Sequence, residues 1–229
     1  MIRIEGLSKS FGARTLWSDV SFTIRGGELL ALVGPSGSGK STLLNCIGLL
    51  DTPSSGAIHH AGRDVTRFGV RASRLYRRDI LGYLFQNYAL IENATVQDNL
   101  AIVTKPRRIK SNSPSPAEAL ERVGLAGFEK ETVHRLSGGE QQRVALARLI
   151  VKQPALVLAD EPTGALDHDN TLMVVDVLRT MSEDGCAVVI ATHDDTVRDR
   201  CDTVLDVATA TAPTPVPSAP TPHNQGTSE

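Results

Sequence analysis

No stretch of this 229-residue chain approaches the about twenty consecutive apolar residues that a membrane-spanning helix needs. A membrane role would therefore need its span from another chain. The N-terminus shows no basic segment followed by an apolar run, so it does not read as a signal peptide. Cysteine is scarce: Cys46, Cys186 and Cys201 are odd in number and far apart. That spacing fits no metal pattern, so reduced, mostly buried thiols are the default, consistent with cytosol. Charge of one sign is also lacking: the formal net charge is −2, which argues against a protein that coats nucleic acid. What remains is an ordinary globular composition, long enough for one large domain or two lobes with a core.

Within it stands one stretch of specific chemistry. Gly34-Pro35-Ser36-Gly37-Ser38-Gly39-Lys40-Ser41 fits G-x-x-x-x-G-K-[ST], a phosphate-binding loop. Glu28 to Val33 reads as a buried strand entering the loop, and Thr42 to Leu50 as a helix leaving it. Glycines let the backbone curl its N–H groups toward phosphate oxygens, and the helix N-terminus adds partial positive charge. Lys40 is placed to reach the β- and γ-phosphates, and Ser41 to offer a hydroxyl to Mg²⁺.

Ahead of the loop, Met1 to Ser8 alternates as a strand, and a second strand runs through Val20, Phe22 and Ile24 to the turn Arg25-Gly26-Gly27. An antiparallel sheet beside a parallel α/β core is the expected outcome. Phe11, on the connection between the two strands, either packs in the core or stacks on a flat base. Ala57 to Ala61 is a short strand. Val70 to Ile80 reads as a helix with Arg71, Arg74 and Arg78 on one face, either solvated or against lipid headgroups or an acidic partner. Leu81 to Phe85 is an apolar strand ending at Gln86. Thr95 is placed to cap a helix through Val103, Lys105 to Ser113 is loop-like, and Ser115-Pro116-Ala117-Glu118 is a capping box. Ser137 and Glu140 have the same spacing, with Gly138 and Gly139 between them, before a helix from Gln141 to Lys152. Two glycines in a first turn weaken a helix but let an anion approach its bare N–H groups, so a plain cap and an anion site both stand.

Ala155 to Ala159 is a short apolar run delivering Asp160 and Glu161 at its C-terminal end, where open α/β sheets bind ligands. Two adjacent acids divide labour well, one holding Mg²⁺ and one orienting or deprotonating water. Cys186 to Ala191 is a further buried strand with His193 just beyond it, and Asp202 to Val207 a last one. From Ala208 the chain turns to proline with alanine, threonine and serine, which predicts a disordered tail over 208–229.

In this order the motifs resemble those of the ATP-binding cassette ATPases, the motor subunits of ABC transporters, over nearly all of 1–207. The phosphate loop Gly34–Ser41 is followed by Gln86 of the Q-loop, the signature Leu136-Ser137-Gly138-Gly139-Glu140, the Walker B run Leu156 to Asp160, Glu161, the D-loop Ala165-Leu166-Asp167 and the switch His193. The resemblance implies a P-loop α/β core with an antiparallel β subdomain and a helical subdomain at about 87–153. It implies ATP and Mg²⁺ as cofactors, with Phe11 stacking on adenine and residues 34–42, Thr42 included, around the phosphates. Ser41, Gln86 and Asp160 would attend the metal; Glu161, Gln86 and His193 would be the catalytic group. Ser137, Gly138, Gly139, Glu140 and Asp167 would act across a homodimer holding two ATP molecules. A separate permease at the cytoplasmic face of the cell membrane is the implied partner, docked at Tyr88, Leu90 and Ile91. The run Phe85 to Asn93 resembles exporters of the macrolide, lipoprotein-release and bacteriocin group, with haem and antimicrobial-peptide efflux systems sharing the layout. A non-transport regulator of a membrane complex, of the cell-division type, is the alternative. Cassettes that act on nucleic acid usually carry two copies in one chain or a long coiled coil, so no nucleic-acid partner is expected.

Overall fold

The computed structural model describes residues 1–104, 113–164, 168–209 and 213–216. Its order is β1 (Ile2–Phe11), β2 (Arg14–Ile24), β3 (Leu29–Val33), α1 (Lys40–Ile47), β4 (Ser55–His60), β5 (Arg63–Asp64), α2 (Val70–Asp79), β6 (Leu81–Leu84), α3 (Val96–Thr104) and α4 (Pro116–Arg122). After a 3₁₀ turn at Val133–Arg135 come α5 (Gly138–Lys152), β7 (Leu156–Asp160), α6 (His168–Glu183), β8 (Ala187–Ala191), α7 (Asp195–Arg198), β9 (Thr203–Asp206) and β10 (Thr214–Pro215).

Two sheets form, and their residue patterns explain why. β3, β7 and β8 are nearly continuous runs of Leu, Val, Ile and Ala, buried on both faces, as parallel strands between helical layers must be. They sit inside the sheet β10-β9-β3-β8-β7-β6, parallel except for β10. Leu29 and Ala31 face a core shared with α3 to α6, whereas Leu30 and Leu32 face one shared with α1 and the antiparallel sheet. That second sheet, β2-β1-β4-β5, is half-solvated. In β1, Ile2 and Ile4 point inward, then Leu7 and Lys9; the phase slips by one residue at Gly6, whose φ is +57°. The register against both β2 and β4 shifts there, so Gly6 is the extra residue of a bulge.

The capping boxes form at both predicted sites. α1 begins at Lys40 rather than Thr42, and α5 takes both Gly138 and Gly139 into its first turn. Phe11 closes β1 instead of lying on a loop, and it is exposed, so the core alternative does not hold. On α2, Arg78 pairs with Asp79 and Arg77 donates to Leu49 O. All three cysteines are buried, and burial pushes the Cys46 and Cys201 thiols up to about 12. Within 208–229, Thr214 and Pro215 pair with β9, and Val216 donates to Asp202 O. Residues 210–212 and 217–229 lie outside the described residues, as do 105–112 and the D-loop triplet Ala165, Leu166 and Asp167.

Candidate functional site

The C-terminal ends of the central strands converge on one edge. β3 delivers Gly34 to Gly39, β6 delivers Gln86, β7 delivers Asp160 and Glu161, and β8 delivers His193. The loop is built by its glycines. Gly34, Gly37 and Gly39 have φ of +140°, +80° and +92°. A Cβ on Gly34 would come 2.9 Å from Ser38 Oγ and 3.3 Å from Asp206 Oδ1; one on Gly39 would come 2.7 Å from Trp17 Nε1. The Lys40 ammonium, nearly buried, donates to Gly34 O at 2.8 Å and Pro35 O at 3.4 Å. Ser38 Oγ is buried with no hydrogen-bond partner. A concavity holding a cation and an unsatisfied hydroxyl at a helix N-terminus suits a phosphate.

Ser41 Oγ donates to Asp160 Oδ1 at 2.9 Å, joining the loop to β7. Burial holds the Asp160 carboxyl above its usual range; the Ser41 bond opposes this, Glu161 adds to it, and Lys40 opposes it. A hydroxyl and a carboxylate side by side suit a hard cation that completes its shell with phosphate and water oxygens. Among the described residues no cluster of three or more His, Cys, Asp or Glu side chains offers a full protein cage. Glu161 sits at φ +46°, its N–H donating to Ala191 O, and its Oε2 lies 2.8 Å from His193 Nδ1. The Glu161 side chain is 18% exposed and that of His193 71%, so the carboxylate is sheltered while the imidazole stands in solvent. Gln86 is exposed beyond β6, outside the Ser41–Asp160 pair. Thr42 follows Ser41 in the first turn of α1.

The residues at 137–140 form a separate feature. Ser137 Oγ accepts from Glu140 N at 3.3 Å, and Glu140 Oε2 accepts from Ser137 N at 2.8 Å and Ser137 Oγ at 2.7 Å. These Ser137 bonds hold the Glu140 carboxyl below its usual range. A Cβ on Gly138 would meet Tyr88 Oη at 3.5 Å, and one on Gly139 would meet Asn170 Nδ2 at 3.6 Å. Their neighbours are thus side chains of the helical layer, not the phosphate loop.

Several structurally important residues carried no sequence signal because their partners are distant. Gln142, buried in α5, donates to Pro162 O at 2.7 Å and steadies the turn after Glu161. Arg148 donates to Ala89 O at 2.7 Å and Tyr88 O at 2.9 Å, holding two residues of positive φ. Asn99 clasps Ile91 through both its N–H and its carbonyl. Arg14 and Trp17 donate to the carbonyls of Gly37 and Gly39.

With this geometry in place, comparison with known proteins is specific. The family profile described as ABC transporter matches residues 17–164. The chain is 39% identical over 214 residues to the pyoverdine export ATP-binding/permease protein PvdT of Pseudomonas aeruginosa, covering 90% of this chain but only 32% of that protein. It is 37% identical over 219 residues to the lipoprotein-releasing system ATP-binding protein LolD 1 of Rhodopseudomonas palustris, covering 90% of this chain and 96% of the relative. Among solved structures, the dimeric bacterial ABC transporter cassette MJ0796 superposes with a TM-score of 0.81 at 33% identity, over 91% of this chain and 95% of that one. The same cassette bound to ADP and Pi gives a TM-score of 0.79 at 32% identity, over the same shares of both chains.

Proposed function

The chain belongs to the ABC transporter family and carries its ATPase domain, and from that premise we propose that it is the motor subunit of an exporter, two copies closing head to tail around two Mg·ATP. The observation that carries this reading is the meeting of Ser41, Asp160, Glu161 and His193 at one strand edge, through bonds of 2.9 and 2.8 Å. In this reading the loop backbone, Lys40 and Ser38 hold the β- and γ-phosphates, and Thr42 supports them from the first turn of α1. Ser41, Asp160 and Gln86 attend the Mg²⁺, which when bound neutralises charge on the phosphate oxygens. Glu161 takes or polarises the proton of the attacking water, and His193, linked to Glu161 and free on its solvent side, contacts the γ-phosphate. Ser137, Gly138, Gly139 and Glu140 serve the nucleotide of the opposite copy, with Asp167 beside that interface. The ATPase domain spans 1–207, with a helical subdomain at about 87–153.

Among the described residues no helix is long and apolar enough to cross a membrane. In this reading the permease is a separate chain, which the match over 96% of an ATP-binding protein supports, and it is engaged at the cytoplasmic face of the cell membrane through the surface around Tyr88, Leu90 and Ile91. Ile91 is exposed, while Tyr88 and Leu90 are half-buried. The names of the lipoprotein-releasing and pyoverdine-export relatives support an export direction, with a peptide, drug, haem or lipid-linked cargo.

Glu161→Gln tests the engine. The amide keeps the shape of the side chain but is no base, so turnover falls by about 10²-fold or more while ATP still binds. Size-exclusion chromatography with Mg·ATP should show the variant as a dimer. Parental phosphate release by the variant would remove Glu161 from the chemistry.

A further inference from the structure

Lys9 is a charged side chain buried to 6% exposure, directly beneath an aromatic that is 55% exposed. Its ammonium donates to Asp51 Oδ1 at 2.7 Å and Thr52 O at 2.7 Å. The same nitrogen lies 4.8 Å from the centroid of the Phe11 ring. The strand arranges this. The bulge at Gly6 shifts the phase of β1 so that Leu7 and Lys9 point inward, and Phe11 follows two residues on. Asp51 and Thr52 belong to the segment just past α1, the helix that begins at Lys40. Two further bonds tie β1 to that segment: Ser10 N to Ser54 Oγ at 3.0 Å and Ser54 N to Ser8 O at 2.8 Å.

We propose that Lys9 is the positioning residue of the base subsite: clamped by Asp51, its ammonium holds one face of Phe11 so that the other receives a purine base at a set distance from the phosphate loop. The proposal rests on the reading of Phe11 as the base-stacking aromatic. A cation on one face draws on the ring's π density, and the opposite face then stacks better on an electron-rich base. Because Lys9 is anchored where α1 ends and Lys40 stands where α1 begins, the helix acts as a spacer between base and phosphates. Without the ammonium the exposed ring is free to leave its rotamer, and part of the binding is spent on ordering it.

The experiment compares ADP with pyrophosphate, which has the phosphates and no base, by calorimetry on the full chain. Lys9→Met should weaken ADP by about fivefold and leave pyrophosphate unchanged. Lys9→Arg should restore ADP, and Lys9→Met should add nothing in a Phe11→Ala background. Asp51→Asn, which keeps the ammonium but loosens its clamp, should weaken ADP by less than Lys9→Met and guards against a Lys9→Met protein that folds poorly. If Phe11→Ala weakens ADP and Lys9→Met does not, the proposal falls while the base reading stands. Equal losses for ADP and pyrophosphate also overturn it, because the effect then belongs to the phosphate loop. If Phe11→Ala leaves ADP binding unchanged, the reading of Phe11 itself fails.

Discussion

Gly39 is the position where the phosphate loop is most exposed to a single added carbon. It caps α1 at φ +92° and ψ 20°, a region that costs an L-residue about 1–2 kcal/mol. The added Cβ of Gly39→Ala would lie 2.7 Å from Trp17 Nε1, 3.0 Å from Trp17 Cδ1 and 3.1 Å from Leu16 Cδ1. The indole has little room to retreat, since Trp17 is buried and its N–H donates to Gly39 O. Overpacking of this kind costs about 1–3 kcal/mol more. Together the two terms reach about 2–5 kcal/mol, a fall in Tm of roughly 5–15 °C for a chain of this size. Gly62→Ala is the control: φ is +78°, but nothing lies within 4 Å, so only the backbone term of about 1–2 kcal/mol applies. Urea and thermal unfolding without nucleotide measure both variants. If Gly39→Ala is as stable as Gly62→Ala, the clash with Trp17 is not real and the loop is not held as described. ADP binding should also be lost in Gly39→Ala and kept in Gly62→Ala, because only the first redirects the amide at the start of α1.

Two further perturbations separate the remaining parts of the site. Ser137→Arg places a bulky cation at the start of α5, remote from the loop on its own chain; ADP affinity should stay within about twofold while turnover drops by more than about tenfold, and a normal hydrolysis rate would contradict a shared site. Asp160→Asn tests the cost of burying that carboxylate. Because burial raises the folded-state value above the ordinary 3.8, the folded chain keeps the proton to higher pH than the unfolded one. The stabilisation this group contributes is therefore complete below pH ~3.8 and lost as pH rises through the folded-state value. Asparagine removes the titration and still accepts from Ser41. Without nucleotide or Mg²⁺, the variant should gain on the parent as pH rises above about 4, while Mg·ATP turnover collapses. Urea midpoints across that range check it, and a stability difference that does not change with pH would refute it.

How far the sequence revealed this arrangement depends on the range of the interaction. Continuous apolar runs such as Leu29–Val33 and Ala187–Ala191 announce buried parallel strands because burial on both faces leaves no choice of residue. The two capping boxes were legible because both partners lie within one turn. Phe11 could not be settled in advance: its exposure follows from ending a bulged strand, and Lys9 gains its meaning only when Asp51 arrives from beyond α1. Gln142, Arg148 and Asn99 were invisible for the same reason, since each serves a backbone carbonyl that sequence spacing does not bring near. Arg71, Arg74 and Arg78 of α2 read as one basic face, but a local partner already occupies part of it: Asp79 binds Arg78.

The glycines of the two motifs differ in a way that bears on the two-copy mechanism. Those of the loop are demanded by the chain itself: Gly34 and Gly39 combine positive φ with neighbours closer than 3.0 Å to an added Cβ. Gly138 and Gly139 answer no such demand. Neither has a positive φ, and a Cβ on either would meet its nearest neighbour at 3.5 Å or more, an ordinary contact. Both lie in the first turn of a helix, where glycine is destabilising by about 1 kcal/mol relative to alanine. In the proposed reading, bare backbone that costs stability and relieves no internal clash answers to a nucleotide that approaches from the other copy. The capping box already satisfies Ser137 and Glu140 against each other, so an incoming anion must compete for that hydroxyl or take the free N–H groups beside it. Alanine at Gly138 and Gly139 therefore separates the two origins: it should raise the stability of the isolated chain while lowering turnover, whereas a motif kept only to fold the helix would show both moving together.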